Sequence, residues 1–176
     1  ESSSSTMDFH LDVLAAGQAL QAEYPQLPVA VLGASMGAAM SLCAMTQAGQ
    51  PFKAAVLESA FPTLLHFWSR YPIPRLGIQL SRLLYPAGER RLRPLHAAEH
   101  LQGRPALLLI YGEADELTPV RDGQLLWQAL HGRTETHFWQ VPKARHTHAY
   151  AAEPEAYAQR VIGFLDAQLG GQQRVA

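Results

Sequence analysis

The sequence predicts an α/β fold in which helices flank a parallel sheet, and two observations support this prediction. Short apolar segments alternate along the chain with segments whose apolar residues recur at helical spacing. Residues 106–111 are apolar throughout, which is typical of a strand buried on both faces of a parallel sheet. The chain has 176 residues, of which 48% are hydrophobic, so it can form one domain with a substantial core.

The first predicted elements are a helix, a strand and a second helix. Ser5 and Asp8 can form a capping box, after which apolar residues recur at helical spacing as far as Pro25. Residues 28–32 are apolar and contain β-branched side chains, which indicates a buried strand. The small, helix-tolerant residues 38–45 then predict the second helix.

Three further strands and two further helices are predicted downstream. The strands are residues 53–58, 106–111 and 136–141. One helix begins at Pro119 and ends at Gly132, and the last begins at Pro154 and ends near Gly170. Because the strands alternate with helical segments, we expect them to run parallel.

Residues 62–104 interrupt this alternation. Five prolines divide them into short pieces, and seven of the chain's fourteen basic residues lie here, against two acidic residues. An amphipathic insertion between two strands is where a lid or substrate-binding cap is expected, and its arginines would suit an anionic substrate. The alternative is a solvated basic face on a packed helical connection.

A G-x-S-x-G motif at residues 33–37 joins the predicted strand to the predicted second helix. In that context the motif predicts a nucleophile elbow, a sharp turn that holds Ser35 in a strained conformation. Gly33 and Gly37 are expected to relieve the crowding around the turn, and the helix N-terminus would favour negative charge beside Ser35. The alternative is a glycine-rich turn with an incidental serine.

A serine hydroxyl needs a neighbouring base, and a third group must hold that base in orientation. The carboxyl ends of parallel strands share one edge of the sheet, so residues that follow strands are the candidates. The acids after strand 106–111 and the histidines after strand 136–141 are Glu113, Asp115, Glu116, His146 and His148. The residues alone leave the choice among them open.

Composition argues against several other classes of protein. The 14 basic and 15 acidic residues nearly balance, which gives no sign of a nucleic-acid partner, and no apolar run is long enough for a membrane span. The single cysteine, Cys43, predicts a buried thiol and gives no support for an oxidising compartment, so a cytoplasmic location is expected.

The remaining histidines are interpreted as polar surface residues. They are His10, His66, His96, His100, His131 and His137. No compact set of ligands predicts a metal site.

Taken in order, these motifs resemble the C-terminal part of an α/β-hydrolase, closest in character to the serine esterase, lysophospholipase-like or S33-peptidase-like branches. The resemblance spans about residues 8–169. It implies Ser35 as the nucleophile, Asp115 as the orienting acid and His146 as the general base, with Glu58 as a second candidate for the acid.

The same resemblance implies an activity and the groups that assist it. It implies hydrolysis of an ester, less readily of an amide, through an acyl-enzyme on Ser35, with no metal or organic cofactor. The backbone N–H of Met36 would contribute to the oxyanion hole. Phe61, Trp68 and Leu117 are candidates for the apolar substrate pocket, and a small-molecule ester is the expected partner.

The resemblance also defines the alternative. In this family several strands and an oxyanion loop precede the nucleophile, whereas only one helix and one strand precede Ser35 here. We therefore expect a fragment of a longer protein, in which the strand at 28–32 lacks a neighbour and exposes an edge through which the chain can pair. The alternative function is a non-catalytic α/β-hydrolase-like fragment or binding module with an incomplete oxyanion hole.

Overall fold

The computed structural model describes residues 9–68 and 93–170, apart from the side chains of Leu65 and Trp68. Within these ranges four strands form one parallel sheet, and their spatial order follows the chain. The strands are β1 (Val29–Ala34), β2 (Phe52–Glu58), β3 (Ala106–Gly112) and β4 (Thr136–Val141). The predicted α/β fold with a parallel sheet is confirmed.

Helices lie between and after the strands. In the described ranges they are α1 (Phe9–Glu23), α2 (Met36–Ala44), α3 (Leu64–Trp68), α4 (Pro94–Glu99), α5 (Val120–Leu130), α6 (Ala149–Ala152) and α7 (Pro154–Leu169). None of these helices is long and apolar enough to cross a membrane.

The sheet has a core on each face. On one face Leu57 and Leu109 pack in a cluster that includes residues of α2 and α5. On the other face Val56 and Ile110 pack in a second cluster with Phe164 of α7. Because helices cover both faces, β3 is buried along its whole length, as a continuously apolar strand requires.

The junction between β1 and α2 is sharper than the sequence predicts. β1 extends two residues past Leu32, because Gly33 and Ala34 continue the ladder with β2. α2 begins at Met36 instead of residue 38, so Ser35 alone separates the strand from the helix. Ser35 therefore carries the whole change of backbone direction.

His10 is buried, although the sequence indicated a polar surface residue. His10 is only 6% exposed, because α1 packs on α2 and encloses it. His10 lines a cavity of about 180 Å³ together with Cys43, His96 and His100. The sequence did not predict this burial, because the faces of α1 differ little in hydrophobicity.

Three expectations concern the first strand, the predicted capping box and the proline-rich insertion. Among the described residues β1 pairs with β2 alone, and its Leu32 is 55% exposed. The predicted capping box at residues 5–8 lies outside the described residues. So do residues 69–92 of the predicted lid, of which the structure describes the two ends, α3 and α4.

Candidate active site

Ser35 occupies a strained position between β1 and α2. Its φ of 51° and ψ of −115° lie outside the regions that a non-glycine residue ordinarily adopts. The turn is fixed on both sides, since the Ser35 N–H donates to the Glu58 carbonyl at 2.8 Å and the Ser35 carbonyl accepts the Ala39 N–H at 3.1 Å. The hydroxyl is thereby held at the carboxyl edge of the sheet.

The two glycines of the motif have different surroundings. A Cβ on Gly33 would lie 2.7 Å from the backbone of Gly37 and Ala38, so only glycine fits there without a shift. A Cβ on Gly37 would meet nothing within 4 Å. The expectation that both glycines relieve crowding is therefore correct for Gly33 and wrong for Gly37, because Gly37 faces open space.

Three loops bring Ser35, His146 and Asp115 together. His146 Nε2 lies 2.8 Å from Ser35 Oγ, and His146 Nδ1 lies 2.9 Å from Asp115 Oδ2. Because Nδ1 faces a carboxylate, it carries the proton, which leaves Nε2 free to accept the proton of the Ser35 hydroxyl. The His146 side chain is 20% exposed, whereas that of Asp115 is fully buried.

Asp115 accepts hydrogen bonds on both of its oxygens. Oδ1 accepts the backbone N–H groups of Leu117 and Thr118, each at 2.9 Å. Oδ2 accepts the hydroxyls of Thr118 at 2.7 Å and Ser59 at 2.9 Å, in addition to His146. Burial raises the pKa of Asp115, but the hydrogen bonds from His146 and Thr118 outweigh it, so the pKa lies below its usual value.

The competing acids lie elsewhere. Glu113 and Glu116 are exposed. Glu58 is buried, but its carboxylate accepts the Ala149 N–H at 3.0 Å and the Tyr157 hydroxyl at 3.3 Å. Burial and the negative charge of Glu58 raise the pKa of Tyr157 to about 12. The structure thus gives Glu58 partners on α6 and α7, and brings Asp115 to the imidazole.

The competing base, His148, has a different partner. Its Nδ1 lies 2.5 Å from the His146 carbonyl, and the residue is exposed. Met36 directly follows Ser35 and is the first residue of α2, so its backbone N–H has no intrahelical acceptor.

A cavity of about 340 Å³ adjoins His146. Its lining residues are Ala114, Glu116, Leu117, Arg145, His146 and His148. Leu117, one of the predicted pocket residues, lines this cavity. The exposed Arg145 lines it as well.

Phe61 and Trp68 are the other two predicted pocket residues. Phe61 is 1% exposed and packs in the core with Ala39 and Met40, because α1 and α3 cover it, and its role in a substrate pocket stays a prediction. Trp68 is the last residue of α3, and its side chain lies outside the described part of the chain.

Sequence reasoning missed two polar residues of the site, Ser59 and Thr118. Thr118 stands three residues after Asp115, a spacing at which a side chain commonly bonds the backbone of a turn, so local sequence contained a signal. Ser59 is 56 residues from Asp115 and carried no local signal. Residues 9–68 and 93–170 contain no group of three His, Cys, Asp or Glu side chains that could hold a metal ion.

Comparison with known protein families gives a match over nearly the whole chain. The model of the prolyl oligopeptidase family matches residues 8–172. The chain belongs to the prolyl oligopeptidase family. This is a family of serine hydrolases within the α/β-hydrolase superfamily, so the predicted superfamily is confirmed and its branch is now defined. A comparison with curated proteins gives no match.

Solved structures similar to this family member share its fold. An esterase from Pyrococcus furiosus is 22% identical with a TM-score of 0.74, and 96% of this chain covers 66% of it. An acylaminoacyl peptidase from Pyrococcus horikoshii is 20% identical with a TM-score of 0.69, and 95% of this chain covers 29% of it. A puromycin-hydrolyzing peptidase from Mycobacterium tuberculosis is 23% identical with a TM-score of 0.74, and 95% of this chain covers 26% of it. This chain therefore spans less than two thirds of each.

Proposed function

We propose that this member of the prolyl oligopeptidase family hydrolyses esters through an acyl-enzyme on Ser35, with His146 as general base and Asp115 as the group that orients it. The observation that supports this most directly is the unbroken series of contacts from Ser35 Oγ through the imidazole to Asp115. A base within hydrogen-bond reach of the hydroxyl, itself oriented by an acid, is what an unactivated serine requires.

The chemistry follows from the hydrogen-bond directions. His146 Nε2 takes the Ser35 proton as the oxygen attacks the substrate carbonyl, and the imidazolium that forms is stabilised by Asp115. The same nitrogen then gives its proton to the leaving group, and water hydrolyses the acyl-enzyme by the reverse sequence. Because the pKa of Asp115 is lowered, the carboxylate is ionised at neutral pH and available for this role.

The backbone N–H of Met36 is proposed as an oxyanion donor. It is the first N–H of α2, where no carbonyl of the preceding turn accepts it and where the helix dipole favours negative charge. One such donor is worth about 10²–10³ in rate.

The cavity beside His146 is proposed to receive the leaving group. The leaving group accepts its proton from Nε2 of His146, so it must stand beside this imidazole. The cavity presents Leu117 as an apolar contact and the charged side chains of Glu116 and Arg145. Amide hydrolysis is the second candidate, favoured by the family match and by the two peptidases among the similar structures.

Covalent labelling tests the assignment without a known substrate. The purified chain is treated with a fluorophosphonate, and the adduct is located by mass spectrometry. We expect one label, on Ser35, and a loss of at least about 10³-fold in labelling rate in His146→Ala. A label on another residue, or none on folded protein, would contradict the proposal and favour a non-catalytic binding module.

One further variant and two kinds of substrate sharpen this result. His137→Ala is the matched control, because this histidine lies on β4 and bonds Glu135 on the surface. It should label at the wild-type rate. Comparing p-nitrophenyl esters with acylated amino-acid p-nitroanilides then separates ester from amide cleavage. Faster release from the anilides, after allowance for their lower intrinsic reactivity, would favour the peptidase alternative.

A further inference from the structure

The end of β2 contributes no side chain to the proposed Ser–His–Asp arrangement, yet it contacts all three of the loops that do. The Glu58 carbonyl accepts the N–H of Ser35 at 2.8 Å. The Ser59 hydroxyl donates to Asp115 Oδ2 at 2.9 Å and accepts the N–H of Thr147, the residue after His146, at 3.4 Å. Ser59 therefore lies between the acid and the loop that holds the base.

The backbone of Ser59 is held in an unusual conformation. Its φ is +54°, in the left-handed region that a serine rarely occupies. The Ser59 N–H donates to the Ile110 carbonyl at 2.9 Å, which ties the residue to the end of β3. Residues in such conformations persist where their surroundings determine them, and they occur preferentially at functional sites.

The Ser59 side chain has no path to a substrate. The residue is 1% exposed, so its hydroxyl can act only on protein groups. A hydroxyl has one proton, and here that proton is directed at Asp115, while a lone pair faces the N–H of Thr147. One side chain thus fixes the position of the carboxylate and limits the movement of the loop at His146.

We propose that Ser59 is a positioning residue, which acts through Asp115 and Thr147 to hold the His146 imidazole against Ser35. This inference rests on the proposed hydrolase function and adds to it a residue that touches neither the nucleophile nor the substrate. Without the hydroxyl, Asp115 Oδ2 loses one of its three donors and the Thr147 N–H loses its acceptor. The loop then loosens on the side that faces the imidazole.

Two substitutions and two measurements test this role. Ser59→Ala removes the hydroxyl and keeps the Cβ, whereas Ser59→Gly removes both and relaxes the positive φ. Thr134→Ala is the matched control, since its hydroxyl also donates one hydrogen bond, here to the Pro105 carbonyl, but at the opposite end of the sheet. The full chain is used throughout. The measurements are the rate of fluorophosphonate labelling and the solvent exchange of the His146 Nδ1 proton by NMR.

Both Ser59 variants should lower the maximal labelling rate about tenfold or more, with the half-saturating probe concentration unchanged, because misplacement of the base affects the chemical step. Exchange of the His146 Nδ1 proton with water should quicken in both. Thr134→Ala should change neither quantity. If a loss of stability alone were responsible, Ser59→Gly and Ser59→Ala would differ in labelling rate. The labelling rate and the proton exchange rate would then both follow the melting temperature.

The outcomes separate the two proposals. Wild-type labelling rates and an unchanged Nδ1 proton in both Ser59 variants would overturn the positioning role and leave the hydrolase function intact. An unlabelled wild-type chain whose Nδ1 proton exchanges faster in the Ser59 variants would overturn the function, while the positioning of His146 by Ser59 would stand.

Discussion

Gly112 packs directly against the backbone of Ala144, and a Cβ on Gly112 would overlap the Ala144 carbonyl. The same carbonyl accepts the N–H of Ala114 at 2.9 Å. This contact lies at the point where the loop of Asp115 leaves β3 and the loop of His146 leaves β4. The absence of a side chain at residue 112 therefore sets the distance between the acid and the base.

Gly112→Ala should consequently both destabilise the fold and impair the site. The added methyl group meets backbone, which cannot rotate away, so we expect a loss of about 1–3 kcal/mol in the free energy of unfolding. The labelling rate of Ser35 should fall as the two loops separate. Urea denaturation and labelling of the folded fraction measure the two effects.

Gly163→Ala is the matched control for that substitution. Gly163 lies in α7 and a Cβ there would meet nothing within 4 Å. Alanine is favoured over glycine in a helix interior by about 1 kcal/mol, so this variant should be slightly more stable than wild type. Equal destabilisation by both substitutions would argue against the close contact with Ala144.

The two glycines around Ser35 offer a second comparison. Gly33→Ala should disturb the turn, because its Cβ would press on the first turn of α2 at 2.7 Å. We expect strongly reduced labelling of Ser35 together with a lower melting temperature. Gly37→Ala should leave the melting temperature unchanged or raised, because the methyl group enters open space in a helix. A loss of stability in Gly37→Ala as large as in Gly33→Ala would contradict this difference.

The lowered pKa of Asp115 predicts how stability depends on pH. The pKa in the folded state lies below the ordinary value of an aspartate, so the ionised carboxylate stabilises the fold at pH above that ordinary value. This contribution is lost as pH falls through the folded-state pKa. Asp115→Asn presents an amide to the donors of Ser59 and Thr118, and at pH 7 it should cost about 1–3 kcal/mol of unfolding free energy.

The difference in unfolding free energy between wild type and Asp115→Asn should therefore shrink as the pH is lowered below about 4. Urea denaturation at a series of pH values measures it. Glu116→Gln is the control, because Glu116 is an exposed neighbour on the same loop. A difference that stays constant down to low pH would show that the charge of Asp115 does not contribute.

Cys43 should be chemically inert in the folded protein. It is 3% exposed, and burial raises the pKa of its thiol to about 12, so the reactive thiolate is scarce at pH 8. We expect no reaction with a chromogenic disulfide reagent in native buffer and one thiol per chain in denaturant. Rapid reaction of the native protein would show that α2 opens.

The strands, most of the helices and the elbow at Ser35 could be predicted because each has a local signature, whereas the choice of His146 and Asp115 came from the resemblance to the α/β-hydrolases. β3 is apolar at every position, and Ser35 stands in a recognisable strand–turn–helix context. What the sequence could not show depends on contacts between distant residues. Phe61 is as apolar as a pocket residue, and only the packing of Ala39 and Met40 upon it places it in the core.

The same limit applies to polar residues. Ser59 follows a strand like many turn serines, and its contact with a carboxylate 56 residues away follows from the register of β2 on β3. Burial of His10 depends likewise on how α1 packs on α2, which the weakly amphipathic sequence of that helix leaves undetermined.

The sheet is ordered as the chain is, with Ser35 after the first strand and His146 after the fourth, 111 residues later. A polypeptide emerging from the ribosome would therefore add its strands one after another, each beside the last. The serine would nevertheless have no imidazole beside it until β4, the last of the described strands, had joined. During synthesis the Ser35 hydroxyl would thus lack its His146 partner until β4 had joined the sheet, so the proposed chemistry could begin only after that step.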